Sequence, residues 1–141
     1  MQVQVLSDVN STLRKTFAVF QQLRPHLTED DFLARVDEQF CQGYRIAYIS
    51  QDDVIVAVMG FRVNSYLAWG NIFYIDDLAT CSTALRKGYA GRLLDWAEGE
   101  ARTQDCDQIH LDSGYMRSDA HRLYLNKGFS LVSHHFSKKI Q

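Results

Sequence analysis

Two adjacent carboxylates, Asp76 and Asp77, interrupt an apolar run from Ile72 to Leu78 that has the β-branched and aromatic composition of a strand. A charge in such a run is costly unless it is paired or close to water. An alkylamine with a pKa of about 10.4 is almost wholly protonated at pH 7, so an amine nucleophile needs an acceptor for its proton. A carboxylate with a raised pKa can take that proton, or it can attract the ammonium and pass the proton through water. A structural aspartate is the alternative.

Successive side chains of a strand point to opposite faces. We therefore expect one carboxylate of the pair to face a cleft and the other to face away from it.

The segment after this strand runs through a polar loop into a helix that begins among the small residues Gly88, Ala90 and Gly91. The first turn of a helix offers unpaired N–H groups and a positive dipole end, and small residues let a phosphate approach the backbone. Arg86 and Lys87 add positive charge. The pattern predicts an anion site, with close packing of the helix on the sheet as the alternative. It is neither a P-loop nor a dinucleotide-binding fingerprint.

Two stretches resemble motifs of the GNAT acetyltransferase superfamily. The loop is similar to motif A, R/Q-x-x-G-x-G/A, with Gly88 and Ala90 in the small-residue positions and Leu85 where the family has Arg or Gln. The stretch Ala120 to Phe129 resembles motif B, A-x-x-L/F-Y-x-x-x-G-F, and places Tyr124 at the family's tyrosine. The resemblance covers about Ile72 to Phe136, and the first half of the chain is similar only in the order of its elements.

The resemblance implies an N-acetyltransferase that uses acetyl-CoA as cosubstrate and transfers the acetyl group directly to a primary amine of a small molecule or peptide. Tyr124 would protonate the departing thiolate, and a phenol with a pKa near 10 keeps its proton at pH 7. Asp76 would be the base and Asp77 its partner, and the reverse assignment stays open. A catalytically idle acyl-CoA-binding or interaction domain on the same fold is the alternative function. The implied cofactor-binding residues are Leu78, Ala79, Thr80, Leu85, Arg86, Lys87, Gly88, Tyr89, Ala90, Gly91 and Asn126.

Periodicity predicts strands and helices in the order β, α, α, β, β, β, α, β, α, β over one domain, residues 1–141. The first strand lies around Val3 and Val5, and the last runs from Phe129 to Phe136. Asn10 or Ser11 can cap the first helix, which Pro25 ends, Thr28 can cap the second, and Ser118 to Asn126 is predicted as a short helix. Early antiparallel hairpins followed by helix-linked strands indicate a mixed α/β fold. As in the GNAT fold, we expect a mostly antiparallel central sheet of six to seven strands with about four helices on both faces.

Composition and charge limit the kinds of partner that the chain is expected to bind. A formal net charge of −2 with no basic stripe argues against nucleic acid, and no apolar stretch is long enough for a membrane span. The three cysteines are odd in number and lie in no paired spacing, which fits a reducing compartment, so we expect a cytoplasmic location. Cys106 and His110 lie in a strand region where their spacing does not converge on a metal, so we expect none. The sequence leaves a homodimer open.

Overall fold

The computed structural model describes residues 2–141, which form two compact units, a larger one that ends at Leu111 and a smaller one, Asp112–Gln141. The expectation of a single domain over the whole chain stays a prediction.

The larger unit holds five strands and three α-helices. Their bounds are β1 Gln4–Leu6, α1 Ser11–Leu23, α2 Glu29–Cys41, β2 Arg45–Gln51, β3 Val54–Tyr66, β4 Gly70–Thr80, a 3₁₀ turn Ser82–Ala84, α3 Tyr89–Thr103 and β5 Gln108–Leu111.

The first two helices start where their capping residues predict. The side chain of Asn10 accepts a hydrogen bond from the backbone N–H of Leu13, and Thr28 accepts one from Asp31. Helix α1 ends at Leu23, directly before Arg24 and Pro25, because proline cannot continue the hydrogen-bond ladder. These ends place Arg24 at the junction between α1 and the loop to α2.

The strands form one sheet in the order β1-β2-β3-β4-β5. The first four pair antiparallel, and β5 pairs parallel to β4 only from Ile72 to Ile75. Strand β4 continues to Thr80 with β3 as its partner on the other side. Beyond Ile75, β4 therefore has no main-chain pairing with β5.

Helices pack on the sheet through apolar side chains. From α1 and α2, Phe20 and Phe32 contact each other at 5.2 Å between ring centroids and join a core cluster with Ile46, Tyr48 and Val58 of the sheet. Helix α3 packs through Trp96 against Phe61 and Phe73, at 5.5 and 6.4 Å. Val58 and Phe61 lie three residues apart on β3, so these contacts are on opposite faces of the sheet.

The smaller unit contains helix α4, Ser118–Asn126, whose bounds match the sequence prediction. Gly128 follows with a φ of 92°, a left-handed conformation that glycine adopts at low cost after a helix.

The predicted last strand, Phe129 to Phe136, is wrong: these residues form neither helix nor strand, so the sheet over residues 2–141 has five strands and not six to seven. A strand is stabilised by ladder hydrogen bonds and by one buried face. Here Leu131 and Phe136 are 88% and 92% exposed, so the apolar side chains of the alternating pattern do not form a buried face. The prediction of a mixed fold with four helices is confirmed.

Within residues 2–141, no helix is both long enough and apolar enough to cross a lipid bilayer.

Candidate active site

A β-bulge on β4 brings the two carboxylates together. In the register between the two strands, Gly60 of β3 lies opposite Asp77 and Phe61 lies opposite Ile75. Asp76 is therefore an extra residue whose Cα has no opposite residue on β3. Both Asp76 and Asp77 consequently line one cavity on the α1–α2 side of the sheet. The expectation that they face opposite sides is wrong, because it assumed an unbroken strand period.

Asp76 is held by Arg62 of β3 in a two-pronged ion pair. The guanidinium donates from Nε to Oδ1 at 3.1 Å and from Nη2 to Oδ2 at 2.8 Å. Both side chains are largely buried, 22% and 19% exposed. Burial raises the pKa of the Asp76 carboxyl, and the charge and hydrogen bonds of Arg62 oppose that rise. Asp76 therefore holds a proton more readily than an exposed aspartate does.

Asp77 has a different set of partners. Its Oδ1 accepts from Nε and Nη2 of Arg24 at 3.1 and 2.9 Å, and its Oδ2 accepts from the hydroxyl of Tyr44 at 2.7 Å. Nη2 of Arg24 also donates to the backbone carbonyl of Asp76, the bulged residue, at 3.2 Å. Two carboxylates and two guanidiniums thus make a charge-balanced quartet.

Tyr44, 2% exposed, anchors this quartet from the core. Burial, with the adjacent charge of Asp77, raises the pKa of its phenol well above the usual 10.0, so the hydroxyl stays a donor. The guanidinium of Arg62 lies over the Tyr44 ring at 5.3 Å, a cation–π contact. Gly60 is required opposite, since a Cβ there would overlap the Tyr44 hydroxyl.

The cavity measures about 770 Å³, is open to solvent, and is lined by the end of α1, the loop to α2, α2 itself and β4. Besides the quartet residues Arg24, Asp76 and Asp77 it is lined by charged or titratable side chains of both signs, namely His26, Asp31, Arg35 and Glu38. A cavity of this size suits a small molecule or the end of a peptide.

The other edge of β4 provides a second surface. Leu78, Ala79 and Thr80 pair with β3 through Met59, Val58 and Ala57, while β5 has already ended at Leu111. Among the described residues, this stretch therefore has no strand partner on its β5 side.

The start of α3, where the sequence predicts an anion site, has no side-chain cap. Its N-cap is Gly88, with a φ of 81° and no side chain to accept from the first-turn N–H groups. Leu85, Arg86 and Lys87 precede it and are exposed. Tyr89 and Gly91 are buried, so these two predicted cofactor residues contribute packing of the helix as well as backbone N–H groups. Ala90 is half-buried between them.

Tyr124 and Asn126 lie in the smaller unit. Tyr124 is 9% exposed and packs against Phe129 in an edge-to-face contact, with ring centroids 6.0 Å apart. Burial raises the pKa of its phenol, and the charge of Arg117 acts in the opposite direction. The hydroxyl is therefore protonated at pH 7. Asn126 is the last residue of α4 and is exposed.

A family model described as the acetyltransferase (GNAT) family matches residues 8–129. The chain belongs to the GNAT acetyltransferase family. The match extends over most of both units, including the first half in which the motifs alone showed little. This GNAT protein is an acetyltransferase, as its named relatives indicate.

Two relatives are N-acetyltransferases. This acetyltransferase is 30% identical over 130 residues to the uncharacterized N-acetyltransferase YhdJ of Bacillus subtilis, covering 89% of this chain and 90% of that one. It is 29% identical over 98 residues to the aminoalkylphosphonate N-acetyltransferase of Salmonella typhimurium, covering 69% of this chain and 62% of the relative.

A solved structure shares the fold. The aminoglycoside N-acetyltransferase AAC(6')-Iy in complex with CoA superposes with a TM-score of 0.83 at 13% identity, covering 99% of this acetyltransferase and 94% of that chain. At this identity the likeness establishes the fold alone.

The sequence analysis of this acetyltransferase did not identify the three side chains that hold Asp76 and Asp77, namely Arg24, Tyr44 and Arg62. Arg62 carried a signal, because it is a charge inside an apolar strand and thus a natural partner for an aspartate on the next strand. Arg24 and Tyr44 lie 53 and 33 residues from Asp77, and nothing local marks them.

Proposed function

We propose that this acetyltransferase transfers an acetyl group from acetyl-CoA directly to a primary amine of a small molecule or peptide. The observation that carries the proposal is the double role of β4. One face of the strand presents two carboxylates to a cavity, and its β5-side edge is unpaired beyond Ile75 and leads to the uncapped start of α3. An acceptor and a donor can thus approach the same strand from different sides.

The donor site suits acetyl-CoA. Its pyrophosphate would accept hydrogen bonds from first-turn N–H groups of α3 beyond Gly88, with Arg86 and Lys87 adding positive charge. Its pantetheine arm carries amides that can pair with the free main-chain edge of Leu78, Ala79 and Thr80, as an added strand does. Leu85, Tyr89, Ala90, Gly91 and Asn126 complete the proposed set. Acetyl-CoA supplies the thioester that the amine attacks.

On the acceptor side we assign Asp76 as the group that takes the proton of the ammonium, directly or through water. Its raised pKa narrows the gap to an amine near 10.4, which an ordinary carboxylate leaves at about 6.5 units. Asp77 is the partner that attracts the ammonium, since the guanidinium paired with its Oδ1 belongs to a side chain that is 43% exposed.

Tyr124 is assigned to the departing thiolate. A phenol with a raised pKa stays protonated while a thiol near 8.5 ionises, so the proton is available when the C–S bond breaks. Direct transfer is preferred to an acetyl-enzyme on Cys81. Hydrogen bonds from Thr83, whose hydroxyl lies 3.2 Å from Sγ, and from Gln22 lower the pKa of the Cys81 thiol, but neither side chain is a base that could accept its proton.

The relatives support an amine acceptor without fixing it. One relative is named for aminoalkylphosphonates, and the solved structure that shares the fold is named for aminoglycosides. We extend this to small-molecule or peptide amines for the present chain. The predicted cytoplasmic location remains a prediction.

A second candidate, an acyl-CoA-binding domain without catalysis, is favoured by one observation. Both Asp76 and Asp77 already have guanidinium partners, and a carboxylate that is stably paired is a poor base.

A thiol-release assay with acetyl-CoA over monoamines, polyamines, amino acids, aminoglycosides and peptide amines separates the two candidates. It should be run beside a thermal-shift titration with acetyl-CoA alone. Amine-dependent thiol release supports the enzyme. A thermal shift with no amine-dependent release supports the idle domain, and the absence of both signals contradicts both.

A further inference from the structure

We propose that Arg24 occupies the position of the acceptor's ammonium and must be displaced from Asp77 when a cationic amine binds, so that it sets the affinity of the cavity for primary alkylammonium substrates. The proposal rests on the acceptor site proposed above and adds a residue that determines its specificity.

One nitrogen of Arg24 makes the contacts that an ammonium would make. Nη2 lies 2.9 Å from Oδ1 of Asp77 and 3.2 Å from the backbone carbonyl of Asp76. A carboxylate oxygen and a carbonyl that converge on one nitrogen form a small cation site, and an alkylammonium has three N–H donors to share between them. The carbonyl belongs to the bulged residue Asp76, which has no Cα partner on β3, and a bulge locally disrupts the hydrogen-bond ladder.

The two ion pairs of the quartet differ in how readily they open. Arg62 and Asp76 lie on adjacent strands, are both largely buried and make a parallel two-oxygen contact. Arg24 is 43% exposed, extends from the end of α1 and places both of its donors on a single oxygen of Asp77. An exposed pair without the forked geometry contributes little to stability, so the Arg24 pair is the one that exchanges.

Asp77 keeps its position when Arg24 leaves. Its second oxygen, Oδ2, accepts from the hydroxyl of Tyr44 at 2.7 Å, and Tyr44 is held in the core. Tyr44 thus keeps the carboxylate in its orientation, while the departure of Arg24 exposes Oδ1 to a new partner. An incoming ammonium finds a preformed acceptor and restores the charge balance that the departing guanidinium had supplied.

The test is isothermal titration of butylamine into wild-type protein and into Arg24→Ala, with and without CoA. Arg14→Ala is the matched control, since Arg14 lies on the same helix and makes an exposed ion pair with Glu29 at 3.3 Å. We expect Arg24→Ala to bind butylammonium about two- to fivefold more tightly, the range expected when an exposed competing pair is removed. Arg14→Ala should bind as wild type does. Added guanidinium chloride should compete with butylamine in Arg24→Ala more strongly than sodium chloride at equal ionic strength.

Unchanged or weaker binding of butylamine in Arg24→Ala overturns the proposal. So does a tenfold or greater loss of 4-aminobutanoate binding in that variant, which would make Arg24 an anchor for an anionic group. Arg24→Gln replaces Arg24→Ala if the latter does not fold, as judged by its melting curve. Because binding is measured without turnover, failure of the enzymatic proposal would appear in the thiol-release assay and not here.

Discussion

At the scale of single residues, Asp76 combines a strand bulge, a largely buried carboxylate and a raised pKa. These properties match a group that must accept a proton from a strongly basic amine, and its ion pair with Arg62 fixes the orientation of the carboxylate. Asp77 instead has an exposed partner and a buried one. The two neighbours in sequence are therefore expected to divide the work of accepting the proton and attracting the ammonium.

Asp76→Asn removes the proton acceptor while keeping the shape of the side chain. We expect kcat/KM for the acceptor amine to fall by about a hundredfold, the usual scale for losing a general base. In the wild type, the carboxyl must be ionised to act, so the acid limb of the pH profile should lie above the ordinary value of 3.8. Initial rates measured from below pH 4 upwards, at pH values where the melting curve shows folded protein, test both effects. A variant with wild-type turnover would remove Asp76 from the mechanism.

Tyr44→Phe removes the hydroxyl that donates to Asp77. A buried hydrogen bond to a charged group contributes about 1.5–3 kcal/mol, so the free energy of unfolding should fall by roughly that amount. Because burial raises the pKa of Tyr44, the unfolded chain loses this proton first, and wild-type stability should decline as pH rises above the usual 10.0. That part of the decline should be absent in the variant.

Denaturant melts at pH 7 and above pH 10 provide the measurement. Tyr66→Phe is the control, since Tyr66 is at the end of β3 and is 40% exposed. Equal stability losses in the two variants would argue against the Tyr44–Asp77 hydrogen bond.

Tyr124→Phe tests the assigned proton donor. The ring and its edge-to-face contact with Phe129 are retained while the proton is lost. We expect kcat to fall by about a hundredfold with little change in the affinity for acetyl-CoA, because the hydroxyl acts on the leaving thiolate. Tyr115→Phe, at a tyrosine that is 84% exposed in the same unit, should behave as wild type. Loss of acetyl-CoA binding in Tyr124→Phe would instead indicate a binding role.

At the scale of elements, the sequence was sufficient where local chemistry decides the structure. The caps Asn10 and Thr28, the stop before Pro25 and the helix Ser118–Asn126 all follow from short-range hydrogen bonding and periodicity. The bulge at Asp76 could not be read in the same way, because it depends on the register between β3 and β4 and on room beside Gly60 for Tyr44. The carboxylates were thus found, but their shared face and their partners were not.

The prediction of a last strand, Phe129 to Phe136, was wrong for a related reason. Alternation after Gly128 satisfies the sequence pattern of a strand, yet a strand exists only where another strand supplies hydrogen bonds. In residues 2–141 the ladder ends at β5, and the apolar side chains after Gly128 are exposed.

Gly88, the N-cap of α3, and Gly99, inside α3, allow a matched test of the proposed anion site. Gly88 has a φ of 81°, so Gly88→Ala is strained and should lower stability by about 1 kcal/mol while weakening acetyl-CoA binding. Gly99 lies inside the same helix with open space around its Cα, so Gly99→Ala should raise stability by about 0.5–1 kcal/mol and leave binding unchanged. Thermal melts with and without acetyl-CoA measure both quantities. Equal binding in the two variants would disconnect the start of α3 from the donor.

At the scale of the whole molecule, α1, α2 and β4 line the proposed acceptor cavity, and β4 with the start of α3 forms the proposed donor surface. The family match over residues 8–129 includes both surfaces. The acceptor cavity has charges of both signs around a neutral quartet, which neither strongly attracts a polycation nor excludes a simple ammonium.

The most direct test of the central claim is the fate of the acetyl group itself. The protein is incubated with isotope-labelled acetyl-CoA and the amine that gives the highest thiol release, and the products are separated and counted. We predict one labelled N-acetyl amine for each CoA thiol released, and loss of both products in Asp76→Asn. Thiol release accompanied only by free labelled acetate, or label retained on acetyl-CoA in the presence of every amine class, would contradict an N-acetyltransferase.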